Sequence, residues 1–160
     1  MVLVWLTIKL TDLRAPAIFK QTRVGQFGYP FTIYKFRTMR VGVTAVGTKT
    51  PNDTRITRVG KWLRRTSIDE LPQLFNVLIG DLSIVGPRPV TFQELPDYDE
   101  SVLVIKPGIT GLWQVSGRST TTLERRIELD REYVQTRSTK LDWQILWRTV
   151  GAVLAQTGAW

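Results

Sequence analysis

Residues 65–89 read RTSIDELPQLFNVLIGDLSIVGPRP, and their glycines and prolines limit what the chain can build. Ser67 followed by Glu70 has capping-box spacing, which predicts a helix with Asp69 and Glu70 in its first turn. Pro72 fits poorly beyond a first turn, so the helix either begins a few residues later or bends there. Gly80 stops the apolar run. Pro87 and Pro89 then hold Arg88 between two residues of restricted φ.

The flanking segments alternate between strand and helix signals. AIFKQTRVGQFGYPFTIYKFRTM (17–39) predicts two short strands joined by a turn at QFGYP. RVGVTAVGTKTPND (40–53) reads as a loop. TRITRVGKWLRRT (54–66) interleaves Arg55, Arg58, Lys61, Arg64 and Arg65 with Ile56, Val59, Trp62 and Leu63, a helical pattern that Gly60 weakens. Thr121 with Glu124 is a second capping-box spacing, ahead of a helix whose apolar side is Leu123, Ile127, Tyr133 and Val134. LDWQILWRTVGAVLA (141–155) predicts a last, strongly apolar helix. With no repeat or linker, the expectation is one α/β or α+β domain over 1–160.

Composition removes several chemistries. The chain has no cysteine and no histidine, so disulfides, thiolate catalysis, a histidine general base and a His-ligated zinc are all excluded. Any metal must be a hard cation held by oxygens. The net charge of +8 is uneven: residues 1–90 carry 14 Lys/Arg against 5 Asp/Glu, and residues 91–160 carry 8 against 9. A basic half suits phosphate-rich partners, whether nucleotide, nucleic acid or anionic membrane, and equally a solvated face. No segment approaches the roughly 20 apolar residues that span a bilayer. MVLVWLTIKL (1–10), the most apolar stretch, reads as an amphipathic or buried helix, an edge strand, or the tail of a longer hydrophobic helix.

The acids at 69–70 have two readings. The macrodipole favours acids in any first helical turn, which explains them without function. The five basic residues just upstream favour an ionised Asp69, and two adjacent carboxylates suit a Mg²⁺ site or a nucleophile beside a metal ligand. Arg88 is preorganised for bidentate bonding to phosphate, or is a solvated turn residue. Lys35 and Arg37 share one strand face, which would line a phosphate pocket or a wet side. KPGITG lacks the spacing of a P-loop. No helix-turn-helix, zinc-finger or RNA-binding pattern is present, which argues against a nucleic-acid partner.

In this order KFRTMR, RITRVGKWLRRTSIDELPQLFNVLIGDLSIVGPRP and KPGITGLWQVSGR resemble the bacterial sugar transferase family, the monotopic polyprenyl-phosphate phosphoglycosyl transferases, over roughly residues 18 to 159. The resemblance implies a small catalytic domain with a short sheet and amphipathic surface helices, seated on the cytoplasmic face of the inner membrane. It implies transfer of a hexose-1-phosphate from a UDP-sugar to undecaprenyl phosphate, with release of UMP, at the start of exopolysaccharide or O-antigen assembly. It matches Asp69 to the nucleophile and Glu70, beside Asp69, to the Mg²⁺ ligand. It matches Lys35, Arg37, Arg88 and Asp130 to family motifs, and with Arg64 and Gln114 these are the candidate substrate-binding residues. Trp62, Trp143 and Trp147 are candidates for interface anchors or core packing. Residues 1–10 correspond to the second half of the family's hydrophobic re-entrant helix. The family's Gly-Pro before the first strand becomes Arg14-Ala15-Pro16, and Val90 replaces the acid often found after G-P-R-P. A non-catalytic membrane-surface or assembly protein derived from such an enzyme is the second reading, and a homo-oligomer stays open.

Overall fold

The computed structural model describes residues 1–42, 53–117 and 121–155. Most of the loop expected over 40–53 lies outside these residues. The fold is a small α/β domain of two short two-stranded sheets wrapped by helices.

Residues 2–11 form helix α1 (Val2–Thr11). It is apolar on nearly every side, yet it gives only Ile8 and part of Val4 to a core shared with Ala17, Phe36 and Leu63. Val2, Leu3, Leu6 and Leu10 stay exposed. Its end is held by Lys9, whose ammonium donates to the Leu13 and Ala15 carbonyls at 2.6 and 3.1 Å. No helix among the described residues is long and apolar enough to cross a membrane.

Strands β1 (Ile18–Val24) and β2 (Pro30–Phe36) pair antiparallel in the register Ile18 to Phe36 and Val24 to Pro30. The turn at 25–29 is the expected one, with Phe27 and Gly28 in left-handed backbone at φ 55° and 79°.

Helix α2 (Arg58–Arg65) starts at Thr57, whose hydroxyl accepts the Gly60 N–H at 2.8 Å. Gly60, a weak point by propensity, is there for packing. The helix lies so close to the chain after β2 that a Cβ at this position would run into the Thr38 carbonyl. Gly60→Ala should therefore lose stability by about 2 kcal/mol, because overpacking against backbone outweighs the roughly 1 kcal/mol gained in helix propensity. Urea midpoints measure it, and a stabilised variant would refute the close-packing account.

The capping box expected at 67–70 does not form. Ser67 takes left-handed backbone at φ 55° and makes no side-chain cap bond, and Ile68–Glu70 is a separate 3₁₀ turn. Helix α3 (Gln73–Leu78) begins only after Pro72, the later of the two starts that proline allowed, and ends at Gly80 with φ 88°. This helix is inside out. Gln73 and Asn76 are buried, at 2% and 0% exposure, while Leu74, Phe75, Leu78 and Ile79 face outward. Asn76 explains the orientation: it donates to the Thr32 carbonyl at 2.7 Å and Asp81 at 3.1 Å, and accepts the Tyr34 N–H at 3.2 Å.

Strand β3 (Ser83–Val85) pairs parallel with β4 (Gly108–Thr110). The glycines of KPGITG serve this crossing. A Cβ at Gly108 or Gly111 would meet the backbone of Gly86, so they allow close strand approach rather than cradle a phosphate. After the short helix α4 (Leu112–Val115) come α5 (Leu123–Thr136) and α6 (Thr139–Leu154). The cap of α5 is Thr122, one residue later than its expected capping box, and its hydroxyl accepts the Arg125 N–H at 3.3 Å. Val85, Leu112, Leu129, Tyr133 and Ile145 form one core; Val24, Val90, Tyr98 and Val102 form another. Trp62, Trp143 and Trp147 enter neither and are 54%, 59% and 73% exposed.

Candidate active site

Two charge clusters stand out, one on the turn before α3 and one at the P-R-P turn. The first is built on the 3₁₀ turn Ile68–Glu70, which Ser67 enters in a conformation few non-glycine residues adopt. Lys35, near the end of β2, reaches Glu70 Oε1 with its ammonium at 2.7 Å. Burial first, and then the adjacent Glu70 charge, push the Asp69 carboxyl up to about 6, against the pull of Lys35 and Arg64. Arg64 is fixed from the other side, its Nε donating to the Thr38 hydroxyl at 2.9 Å.

Among the described residues no three acidic, histidine or cysteine side chains converge as a metal cage. Mg²⁺ needs none: it commonly takes one or two carboxylates and completes its shell with water and substrate phosphates. The Asp69–Glu70 pair fits that mode, since a divalent cation would offset the burial and the Glu70 repulsion that raise the Asp69 carboxyl.

The second cluster was largely invisible in the sequence. Arg88 lies with its guanidinium 5.2 Å from the centre of the Trp113 ring. Its backbone N–H donates to Asp130 Oδ1 at 3.4 Å, and Asp130 Oδ2 accepts the Tyr98 hydroxyl at 3.3 Å. Arg126 donates to Glu94 at 2.8 Å and to the Tyr98 oxygen at 2.9 Å, and lies 5.7 Å from the ring centres of both Tyr98 and Trp113. Glu94 Oε2 also accepts from Thr91, from N at 2.9 Å and from Oγ1 at 3.0 Å. Arg23 binds the Pro89 carbonyl at 3.2 Å and sits 3.8 Å from Glu94.

The electrostatics are those of crowded, buried charge. Burial and the neighbouring Arg88 bring Arg23 down to about 10. Burial and Arg126 lower Arg88, with Glu94, Tyr98 and Glu70 acting in the opposite direction. Burial works against the Glu94 charge, yet the Thr91 hydrogen bonds and Arg126 outweigh it and hold that carboxyl down to about 2. Asp130, 1% exposed, is pushed up to about 7 by burial, against its hydrogen bonds and the nearby guanidiniums.

The structure thus gathers Lys35, Arg64, Asp69 and Glu70 into one group and Arg88 with Asp130 into its neighbour. The charges of Glu94 and Glu70 both favour the protonated Arg88 guanidinium. Arg37 goes elsewhere: it is 8% exposed and its guanidinium turns to Asp12, 3.5 Å from the carbonyl and 3.9 Å from the carboxylate. Gln114 sits on α4 beside Trp113, and both Gln114 Oε1 and Trp113 Nε1 are buried without a hydrogen-bond partner among the described residues. Arg23, Glu94, Tyr98 and Arg126 carried no sequence signal beyond the acidity of the 94–101 loop. A groove of about 500 Å³ between β3 and α6 is lined by residues such as Val77, Ile84, Lys106 and Trp143, and by none of these site residues.

The arrangement offers a carboxylate beside a second acid, an ammonium bonded to that pair, the Arg64 charge acting on it, and a guanidinium with no carboxylate bonded to it among the described residues. That is the equipment for chemistry on a phosphate ester. Residues 1–156 match the family model described as bacterial sugar transferase. The chain is 46% identical to the uncharacterized sugar transferase EpsL of Bacillus subtilis, over 98% of this chain and 80% of that protein. It is 42% identical to the undecaprenyl-phosphate galactose phosphotransferase of Salmonella typhimurium, over 99% of this chain but 37% of that protein. With the UDP-glucose:undecaprenyl-phosphate glucose-1-phosphate transferase of Escherichia coli it shares 44% identity, over 91% and 34% respectively. It therefore spans most of one relative and about a third of the other two. On this match the chain belongs to the bacterial sugar transferase family.

Proposed function

We propose that the protein transfers a hexose-1-phosphate from a UDP-sugar to undecaprenyl phosphate and releases UMP. The observation that carries this reading is the placement of Asp69 and Glu70 against Lys35 and Arg64, with the guanidinium of Arg88 within electrostatic reach. In its ionised form an Asp69 oxygen attacks the β-phosphorus of the donor. The bond from that phosphorus to the bridging oxygen breaks, and UMP leaves with the electron pair. A phosphate oxygen of undecaprenyl phosphate then attacks the same phosphorus and regenerates the Asp69 carboxylate. An ionised carboxylate needs no general base, which suits a chain without histidine. Lys35, Arg64 and Arg88 neutralise charge on the phosphoryl group and on the departing UMP. Mg²⁺, held by Glu70 with Asp69, would supply further neutralisation of the phosphate oxygens.

The same reading seats 1–160 as one domain on the cytoplasmic face of the inner membrane, with residues 1–10 as part of a re-entrant helix. Outward apolar side chains on three helices support the seat: Leu3 and Leu6 on α1, Leu74, Phe75 and Leu78 on α3, and Trp143, Trp147 and Leu154 on α6. A lipid-facing α3 makes physical sense of a helix that buries its amides and presents its leucines.

The test is UMP release by protein in detergent or nanodiscs, given a panel of UDP-hexoses, undecaprenyl phosphate and Mg²⁺. Release that depends on the lipid and stops with EDTA is expected. No release from any donor would overturn the catalytic reading and leave a membrane-surface assembly protein in its place.

A further inference from the structure

Helix α2 has two unlike sides. Val59, Gly60 and Leu63 pack inward, Leu63 into the core it shares with Ile8, Ala17 and Phe36. At 3.6 residues per turn, Arg58, Lys61, Trp62 and Arg65 fall on the opposite side, within about 100° of the helix circumference. All four are exposed, Trp62 among the most exposed aromatics of the chain. Arg64, the remaining cation of the helix, leaves this face for the Thr38 hydroxyl. Among the described residues no carboxylate pairs with Arg58, Lys61 or Arg65, whereas Lys35, Arg55, Arg125, Arg126 and Arg131 each have one within 3.3 Å. The helix also has no acid in its first turn, where its macrodipole favours one, and begins instead on Arg58. Its outward charge is therefore left for an external anion to balance.

We propose that this face of α2 is a docking surface for the headgroups of anionic phospholipids. This rests on the membrane seat proposed above and adds the class of lipid that the seat recognises. Charge complementarity selects the occupant: a leaflet rich in acidic lipid offers a plane of phosphates that cations on one helix face meet together. Trp62 lies among those cations, and an indole, with its apolar body and polar N–H, suits the boundary between headgroups and acyl chains. The location agrees. Helices α1 and α2 share a core, and α1 leaves Leu3 and Leu6 outside it for the acyl layer. The apolar helices hold the protein in lipid, and α2 makes that hold depend on headgroup charge.

Co-flotation of the full chain with vesicles of phosphatidylcholine, or of an equal mixture with phosphatidylglycerol, tests this. At low salt the mixed vesicles should bind wild type about tenfold or more tightly, since each cation near an anionic surface contributes roughly fivefold. High salt should remove the difference. The variant Arg58→Gln/Lys61→Gln/Arg65→Gln should lose most of it while binding phosphatidylcholine as wild type does. Arg125→Gln/Arg131→Gln/Arg137→Gln removes the same charge from exposed positions on and just after α5 and should keep it. An undiminished difference in the α2 variant, an equal loss in the α5 variant, or no preference in wild type overturns the inference and leaves the membrane seat standing. No binding to either vesicle refutes the seat and this surface together. Duplex DNA bound as tightly as the mixed vesicles would make the face a nucleic-acid surface instead. If the α2 variant does not fold, Lys61→Gln alone decides: a loss of roughly fivefold supports the inference, and no loss refutes it.

Discussion

Asp69→Asn should leave a folded protein that neither releases UMP catalytically nor forms a covalent phosphosugar adduct. The expected loss in turnover is at least about 10³-fold, the scale on which removal of a nucleophile is felt. Asparagine is close in size, so any loss is chemical rather than steric. Folding should not suffer, because the native carboxyl is already disfavoured in its charged form by burial and by Glu70. A neutral amide removes that repulsion, and the thermal midpoint of D69N should be no lower than that of wild type. Labelled UDP-sugar with intact-protein mass spectrometry reads the adduct. Turnover by D69N at the wild-type rate would sink the nucleophile assignment, whatever the rest of the site does.

Asp130→Asn should change how stability depends on pH. Asp130 is 1% exposed and its carboxyl is pushed up to about 7, above the value of about 3.9 in an unfolded chain. Between those values the folded state binds more protons than the unfolded state, so its contribution is fully present below about pH 4 and is lost as pH rises through 7. A carboxyl displaced this far is linked to about 4 kcal/mol of stability between the two ends of that window. The asparagine would keep an oxygen acceptor for the Arg88 N–H and would not titrate. Wild type and D130N should therefore match near pH 4 and diverge by pH 8, with the variant more stable. Glu94, held down to about 2, acts in the opposite sense and only in more acidic solution. Asp69, raised to about 6, titrates in the same window but is common to both proteins and cancels in their difference. Urea midpoints from pH 4 to 8 measure the difference, and parallel profiles for the two proteins would refute the raised carboxyl.

Much of the fold was legible because it is local. The hairpin follows from β-branched residues around QFGYP, and α2, α5 and α6 follow from helical periodicity with polar caps nearby. Cap positions were less legible. Ser67 and Glu70 have the right spacing, yet Ser67 takes left-handed backbone and the 3₁₀ turn precedes the helix, a choice that Pro72 forces by barring an earlier continuous helix. Lys35 and Arg37 alternate like partners on one face. The strand ends at Phe36, however, and Arg37 turns to Asp12 while Lys35 meets Glu70. Periodicity gave α3 its apolar stripe but not its direction. That follows Asn76, whose three hydrogen bonds to Thr32, Tyr34 and Asp81 fix the face that turns inward.

By itself the sequence determined the family, the adjacent acids, the P-R-P turn and the exclusion of thiol and histidine chemistry, all of which depend only on residue identity and short spacing. Tertiary structure alone decided which charges meet. Arg126 lies 32 residues from Glu94, and Lys35 lies 35 from Glu70. Pairing across such distances is set by how helices and strands close on one another, and Coulomb energy falls with separation in space, not along the chain. Only the closed fold could show the Arg88 backbone N–H on Asp130 and its guanidinium beside the Trp113 ring.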